Sequence, residues 1–238
     1  MALLSSDRLV VVDPLNQSVK LLDVVQGKVL HQLEVDGTPT SVCSLPEARV
    51  AVTLPSKNII VILHCDNKLS IVDTITVQGF CCSIAYSNEL LVVLYEHPRK
   101  IEIMNLNGSV VKQNELNVRD IFYLESQLSV MTEGDVTSIY VGDSNNKRIL
   151  RLDEDMQEQQ VYRLPGGAKP SGVLAVGDNQ LLVGVYGIYL WQLDSTMGRW
   201  TLLSEDGFWL IVSMAYCHER QVLYYGHVSD SVKRYAIS

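Results

Sequence analysis

Short apolar runs of Val, Ile, Leu and Tyr alternate along this chain with clusters of Asp, Asn, Ser, Gly and Pro, a pattern that predicts β-strands joined by tight turns. Leu9-Val-Val-Val-Asp13, Val19-Lys-Leu-Leu-Asp23 and Ile139-Tyr-Val-Gly-Asp143 are typical. Helical spacing at three and four residues is not sustained in any window, and the apolar stretches have strand length. The expectation is an all-β protein.

The strands repeat. A strand that follows a polar turn begins near Val19, Ile59, Ile101, Ile149, Ile188 and Val232, at intervals of roughly 40 to 48 residues, the period of a four-stranded propeller blade. A second feature keeps the same phase: a small residue followed by an apolar one at Ser41-Val42, Ser83-Ile84, Ser129-Val130, Gly172-Val173 and Ser213-Met214. Innermost propeller strands converge on a channel where bulky side chains collide, so small residues have a steric cause there. The chain is therefore expected to form one six-bladed β-propeller over residues 1–238, with blades at 1–36, 37–78, 79–118, 119–165, 166–206 and 207–238.

In the fourth blade the strands are expected at Leu128 to Thr132, Ser138 to Asp143, Arg148 to Asp153 and Gln159 to Leu164. By the same count Met1 or Ala2 falls in the first inner strand. Ser231 to Ile237 forms a third strand of the sixth blade, which is thus expected to be incomplete, with a monomer or weak self-association as the state of the domain.

Composition narrows the function. Hydrophobic residues make up 47% of the 238 and charged ones 19%, enough to fill a core. The net charge of -8 opposes nonspecific binding to nucleic acid, which relies on Lys and Arg to neutralise phosphates. No apolar run approaches a membrane span and no signal-peptide pattern opens the chain, so a cytoplasmic protein without a membrane partner is expected. The five cysteines (Cys43, Cys65, Cys81, Cys82 and Cys217) are odd in number and show no C-x-x-C spacing. Reduced thiols follow, and neither a RING zinc site nor a dithiol redox pair is encoded. The histidines His31, His64, His97, His218 and His227 lack metal-ligand spacing, and no nucleophile elbow or P-loop occurs. The expectation is a non-enzyme that needs no cofactor.

The segments Arg8–Asp23 and Ile139–Asp153 read strand, Asp, polar turn, Asn, basic or polar pair, apolar strand. They resemble the NHL repeat of the propellers that end many tripartite-motif proteins. Residues 50–62 and 82–93 resemble degenerate copies found in invertebrate relatives. Gly184-Val-Tyr-Gly-Ile188 lacks the Asp and Asn of the turn, and Trp191, Trp200 and Trp209 fall outside the pattern. The resemblance implies a propeller whose face holds a protein partner or an RNA stem-loop; in ligase members it recruits substrate to an upstream RING, and fold alone does not choose between these.

The turn between the second and third strands and the connection between blades are expected on one face. Its candidate binding residues are Lys57, Tyr95, His97, Arg99, Lys100, Asn145, Lys147, Arg148, Lys169, Tyr186, Phe208, Trp209 and His227, with Arg119 nearby. The basic ones could meet phosphate or carboxylate, or could pair with Asp143, Asp153 and Glu96 as architecture. Tyr186, Phe208 and Trp209 could form an interface patch or pack between blades. Three functions are carried forward: a protein-interaction propeller that recognises a partner or ligase substrate, an RNA-binding propeller, and a calcium-dependent hydrolase of the lactonase or esterase type. The last would draw on Asp13, Asp143 and Asn145, although a hard cation needs about six oxygens.

Overall fold

The computed structural model describes residues 1–115, 127–185, 189–204, 213–227 and 231–237. The anchor expected at Ile188 lies outside them. The class is all-β: six antiparallel sheets follow one another along the chain as a six-bladed β-propeller. Two compact units divide the chain, Met1–Glu115 and Leu116–Ser238.

The first unit contains three sheets of four strands. They are β1 (Ala2–Ser5), β2 (Arg8–Asp13), β3 (Ser18–Asp23) and β4 (Lys28–Glu34); β5 (Ser41–Leu45), β6 (Arg49–Leu54), β7 (Ile59–Cys65) and β8 (Leu69–Thr76); and β9 (Cys81–Ser87), β10 (Leu90–Tyr95), β11 (Lys100–Asn105) and β12 (Val110–Glu115). The second unit continues with β13 (Leu128–Glu133), β14 (Val136–Asp143), β15 (Arg148–Leu152) and β16 (Glu158–Arg163), then β17 (Pro170–Gly177), β18 (Gln180–Val185), β19 (Leu190–Asp194) and β20 (Arg199–Ser204). Among the described residues its last sheet has three strands, β21 (Ser213–Cys217), β22 (Val222–His227) and β23 (Ser231–Ala236).

Burial explains the hydrophobic pattern. In the second sheet the second and third strands are covered on both faces by the neighbouring sheets of their unit, so they read as continuous apolar runs rather than alternating ones. In β6, Val50 and Val52 join the core shared with the first sheet, while Ala51 between them joins the core shared with the third. In β7, Val61 and Leu63 divide from Ile60 and Ile62 in the same way. Fourth strands have one face and one edge in water, and β4, β8 and β12 are accordingly largely exposed.

Hairpins set the registers. Asn88-Glu89 and Asp178-Asn179 each place two residues at positive φ between paired strand ends, the geometry of a two-residue turn that matches strand twist. Each four-stranded sheet also carries a register shift between its third and fourth strands, at Leu21/Leu22, Ile62/Leu63, Ile103/Met104, Arg151/Leu152 and Leu190/Trp191. These are β-bulges, which bend the outer strand and increase its twist.

Within each unit the first strands of successive sheets pack together, β5 against β1 and β9, and β17 against β13 and β21. Ser41, Ser83, Ser129, Gly172 and Ser213 all sit on first strands. At Gly172 the steric reason holds, because a Cβ there would stand 3.0 Å from Gln127 Oε1 and 3.1 Å from Met214 Cε. Two of the serines do more. Ser41 Oγ accepts the Ile84 N–H at 3.3 Å and Ser129 Oγ accepts the Ala175 N–H at 2.9 Å, so each hydroxyl ties one sheet to the next. Their small size is legible in the sequence; these hydrogen bonds are not.

Candidate functional site

The two well-formed Asp-turn-Asn segments fold alike. Asp13 Oδ1 accepts the Asn16 N–H at 3.1 Å and its Oδ2 accepts Asn16 Nδ2 at 2.8 Å. In the other, Asp143 Oδ1 accepts the Asn146 N–H at 3.1 Å and its Oδ2 accepts Asn146 Nδ2 at 2.9 Å. The side chain thus substitutes for a backbone turn. A cation from the next strand completes each carboxylate, Lys20 Nζ on Asp13 and Arg148 Nε on Asp143 at 2.8 Å. Burial alone would raise the pKa of Asp13; the bonds from Lys20 and Asn16 outweigh it, and the carboxyl is held below its ordinary value.

One end of the sheets carries the expected loops in both units. The turn before the third strand ends in a left-handed residue, Gln17, Asn58 or Lys147. Its carbonyl accepts an N–H from the connection that leaves the fourth strand: Val35 to Gln17 at 2.9 Å, Val77 to Asn58 at 2.9 Å and Leu164 to Lys147 at 3.4 Å. In the third sheet a different tie is made, by the connection that enters it, from Phe80 N to His97 O at 2.8 Å. Gly79 permits this approach, since a Cβ there would lie 2.5 Å from His97 O at a φ of +140°.

In the first unit Lys57 and His97 are exposed, Lys57 in an ion pair with Asp36 at 2.8 Å and His97 with Nε2 3.9 Å from Glu96. Arg99 is half-buried. Leu15, at the tip of the first turn, is 81% exposed, in the loop Pro14-Leu15-Asn16-Gln17 that the sequence places on the expected binding face. Tyr95 and Lys100 do not face solvent. Tyr95 is buried with its hydroxyl unpaired among the described residues, Lys100 Nζ lies 4.6 Å from its ring centroid, and Lys100 pairs with the buried Glu102. Burial, with Glu102 nearby, pushes the Tyr95 hydroxyl well above its ordinary pKa. These three groups lie between the second and third sheets, where β10 and β11 turn alternate residues inward.

In the second unit Asn145, Lys147 and Lys169 are exposed, and Lys147 lies beside Gly167 of the next connection. Arg148 is bound to Asp143, whose side chain is fully buried. His227 ends β22. Tyr186, Phe208, Trp209 and Arg119 lie outside the described residues. Trp191 and Trp200 meet edge to face, with centroids 6.5 Å apart, against the core of the fourth and fifth sheets.

A groove of about 410 Å³ opens at the opposite end of the first unit, lined by Arg49, Ile62, Val72, Asp73, Leu106 and Asn107; none of the candidate residues borders it. All five cysteines are free thiols. Burial pushes Cys65, Cys81 and Cys82 up to about 12. Cys81 and Cys82 point apart, toward Ile59 O and Leu94 O respectively. Among the described residues no three His, Cys, Asp or Glu side chains gather as a metal site, and no helix is long and apolar enough to cross a membrane.

No family model and no curated protein matches the chain. Solved structures do. A streptogramin B lyase superposes with a TM-score of 0.73 at 11% identity, over 100% of this chain and 82% of that one. Virginiamycin B lyase from Staphylococcus aureus gives 0.70 at 12% identity, over 99% and 83%. A protein of unknown function from Bacteroides caccae gives 0.69 at 12% identity, over 92% and 82%. At such identities the likeness is one of fold.

Proposed function

We propose that this chain is a non-catalytic binding module, a protein-interaction propeller of the NHL type that recognises a partner or ligase substrate through the loop end of its sheets. The observation that carries this reading is the state of Asp13 and Asp143. Both carboxylates that a calcium-dependent hydrolase would have drawn on are bonded by an asparagine and a cation of their own sheet. They build two of the turns, which present Leu15 in one and Asn145 and Lys147 in the other, while Lys57 is exposed on the corresponding turn of the second sheet.

RNA binding is the second reading. Of the cations that would serve it, Lys100 and Arg148 are committed to carboxylates in the interior and Lys57 pairs with Asp36, while the net charge is -8. Affinity for a stem-loop at physiological salt is therefore expected to be weak.

The test uses the immobilised chain and a lysate of its own source, with captured protein and captured RNA scored separately. Protein capture that survives nuclease treatment, and that is lost in Lys57→Ala/His97→Ala or Lys147→Ala/Lys169→Ala variants of unchanged melting temperature, supports the reading. Capture abolished by nuclease moves the assignment to RNA. Turnover of a streptogramin B antibiotic, or calcium-dependent hydrolysis of a lactone, would make the chain an enzyme.

A further inference from the structure

The groove of about 410 Å³ in the first unit falls in the roughly 300–1,000 Å³ range of small-ligand clefts, which combine an apolar lining with a few placed polar groups. Strand pairing fixes its layout. Ile62 on β7 stands opposite Asp73 on β8, and Arg49 on β6 stands opposite His64, two residues beyond Ile62. Paired residues share a face of the sheet, so Arg49, Ile62 and Asp73 lie on the face that Ala51 and Ile60 turn to the third sheet. Directly opposite side chains are about 5 Å apart and diagonal ones about 7–8 Å. The two charges therefore flank Ile62 from opposite sides.

The third sheet supplies the facing wall. The turn between β11 and β12 lies against β8, since a Cβ at Gly108 would stand 2.7 Å from Ile75 Cγ2, and it brings Leu106 and Asn107 to the groove. Val72, the extra residue of the β8 bulge, adds an aliphatic side chain that is 53% exposed.

Each polar side chain is only half committed. Asp73 Oδ1 accepts the Thr74 N–H at 2.7 Å and Asn107 Oδ1 accepts the Ser109 N–H at 2.9 Å. Arg49 donates Nε to Pro46 O at 3.2 Å and sets Nη2 3.3 Å from the exposed Glu47. Among the described residues this leaves a carboxylate oxygen of Asp73, the amide nitrogen of Asn107 and Nη1 of Arg49 open.

Charge complementarity selects the occupant. It needs a cation for Asp73, an anion for Arg49, an acceptor for Asn107 and an aliphatic body over Ile62, Val72 and Leu106. A single amino acid holds both charges on one carbon, too close together to flank Ile62. Two residues of extended chain span roughly 7 Å and carry a carbonyl between their ends.

We propose that this groove binds short aliphatic peptides with both chain ends free, the ammonium group on Asp73, the carboxylate on Arg49 and the peptide carbonyl on Asn107. None of the loop-end residues borders it, so it stands or falls separately from the binding face proposed above.

The probe is the dipeptide valyl-leucine, compared with its N-acetyl, C-amide and doubly capped forms and with free leucine. Each is titrated into the whole chain, and NMR follows the methyl groups of Ile62, Val72 and Leu106. The free dipeptide should bind with a Kd on the order of 0.1–1 mM, and each cap should weaken binding about tenfold. In Arg49→Met the amide cap should lose its effect while the acetyl cap keeps it; Asp73→Asn should do the converse. Val72→Trp fills the groove from an exposed position and should abolish binding at unchanged melting temperature, whereas Lys57→Ala/His97→Ala should leave binding intact. Equal affinity for the free and doubly capped peptides, equal affinity for leucine, shifts confined to another surface, or no shift at roughly 10 mM peptide would overturn the proposal.

Discussion

The hydroxyl of Ser129 on β13 accepts the Ala175 N–H of β17 at 2.9 Å, so one oxygen atom joins two sheets through residues 46 apart in sequence. Ser41 repeats the contact with Ile84 at 3.3 Å. Replacing Ser129 with Ala keeps the residue small and deletes only the acceptor. A loss of about 1 kcal/mol is expected in urea unfolding, and a smaller one for Ser41→Ala, whose bond is longer. Stability equal to that of the parent in both variants would return these serines to a purely steric role.

Lys100 and Glu102 give a second test, because their side chains are only 10% and 4% exposed. Lys100→Met leaves the Glu102 carboxylate without its cation beside the Tyr95 hydroxyl, and about 3–5 kcal/mol is expected to be lost. The double variant Lys100→Met/Glu102→Leu removes both charges and should recover to within about 1 kcal/mol of the parent. A chemical-denaturation cycle over the four proteins measures the coupling.

Asp13 sets an acid limb. Its folded pKa lies below the ordinary value, so its contribution is fully present above the unfolded pKa, near 4, and is lost as pH falls through the lower folded value. Melting temperature should therefore drop in that interval for the parent. Asp13→Asn should be less stable at neutral pH and should show a flatter acid limb.

The thiols of Cys65, Cys81 and Cys82, pushed up to about 12 by burial, should resist Ellman's reagent at pH 8 in the folded protein and react at once in denaturant. Reactivity depends on both thiolate fraction and access, and the fold lowers both. Rapid modification of the native chain at these positions, located by mass spectrometry, would contradict the burial.

Strand type and repeat phase were legible because burial on two faces writes itself as unbroken apolar runs such as Leu90–Tyr95, and because Asp13 and Asp143 mark turns by their bonding to Asn16 and Asn146. The four strands expected in 128–164 appear within two residues of their observed ends. The site was less legible. Tyr95 and Lys100 look like loop residues in the sequence, but strand β10 runs through Tyr95 and β11 begins at Lys100, so both turn inward to Glu102. A charge two residues further along a strand is the signal of such a pair, and Lys100-Ile-Glu102 carries it. The bulges leave no trace in composition, since Val29-Leu30, Ile71-Val72 and Val110-Val111 look like strand interiors although all six side chains are 41% exposed or more.

The backbone tie between each left-handed turn residue and the following connection, Val35 to Gln17 and Val77 to Asn58 among them, separates shape from chemistry at the loop end. The tie is made by main-chain atoms, and within the first and fourth turns the side chains that shape the loop are Asp13 with Asn16 and Asp143 with Asn146, so the remaining turn positions carry none of these bonds. Positions such as Pro14-Leu15, Ser56-Lys57 and Asn145 can thus be exchanged while the frame beneath them stays put. A lineage could change what this surface recognises without refolding anything, and a library randomised at those few positions samples new specificities on a fixed chassis.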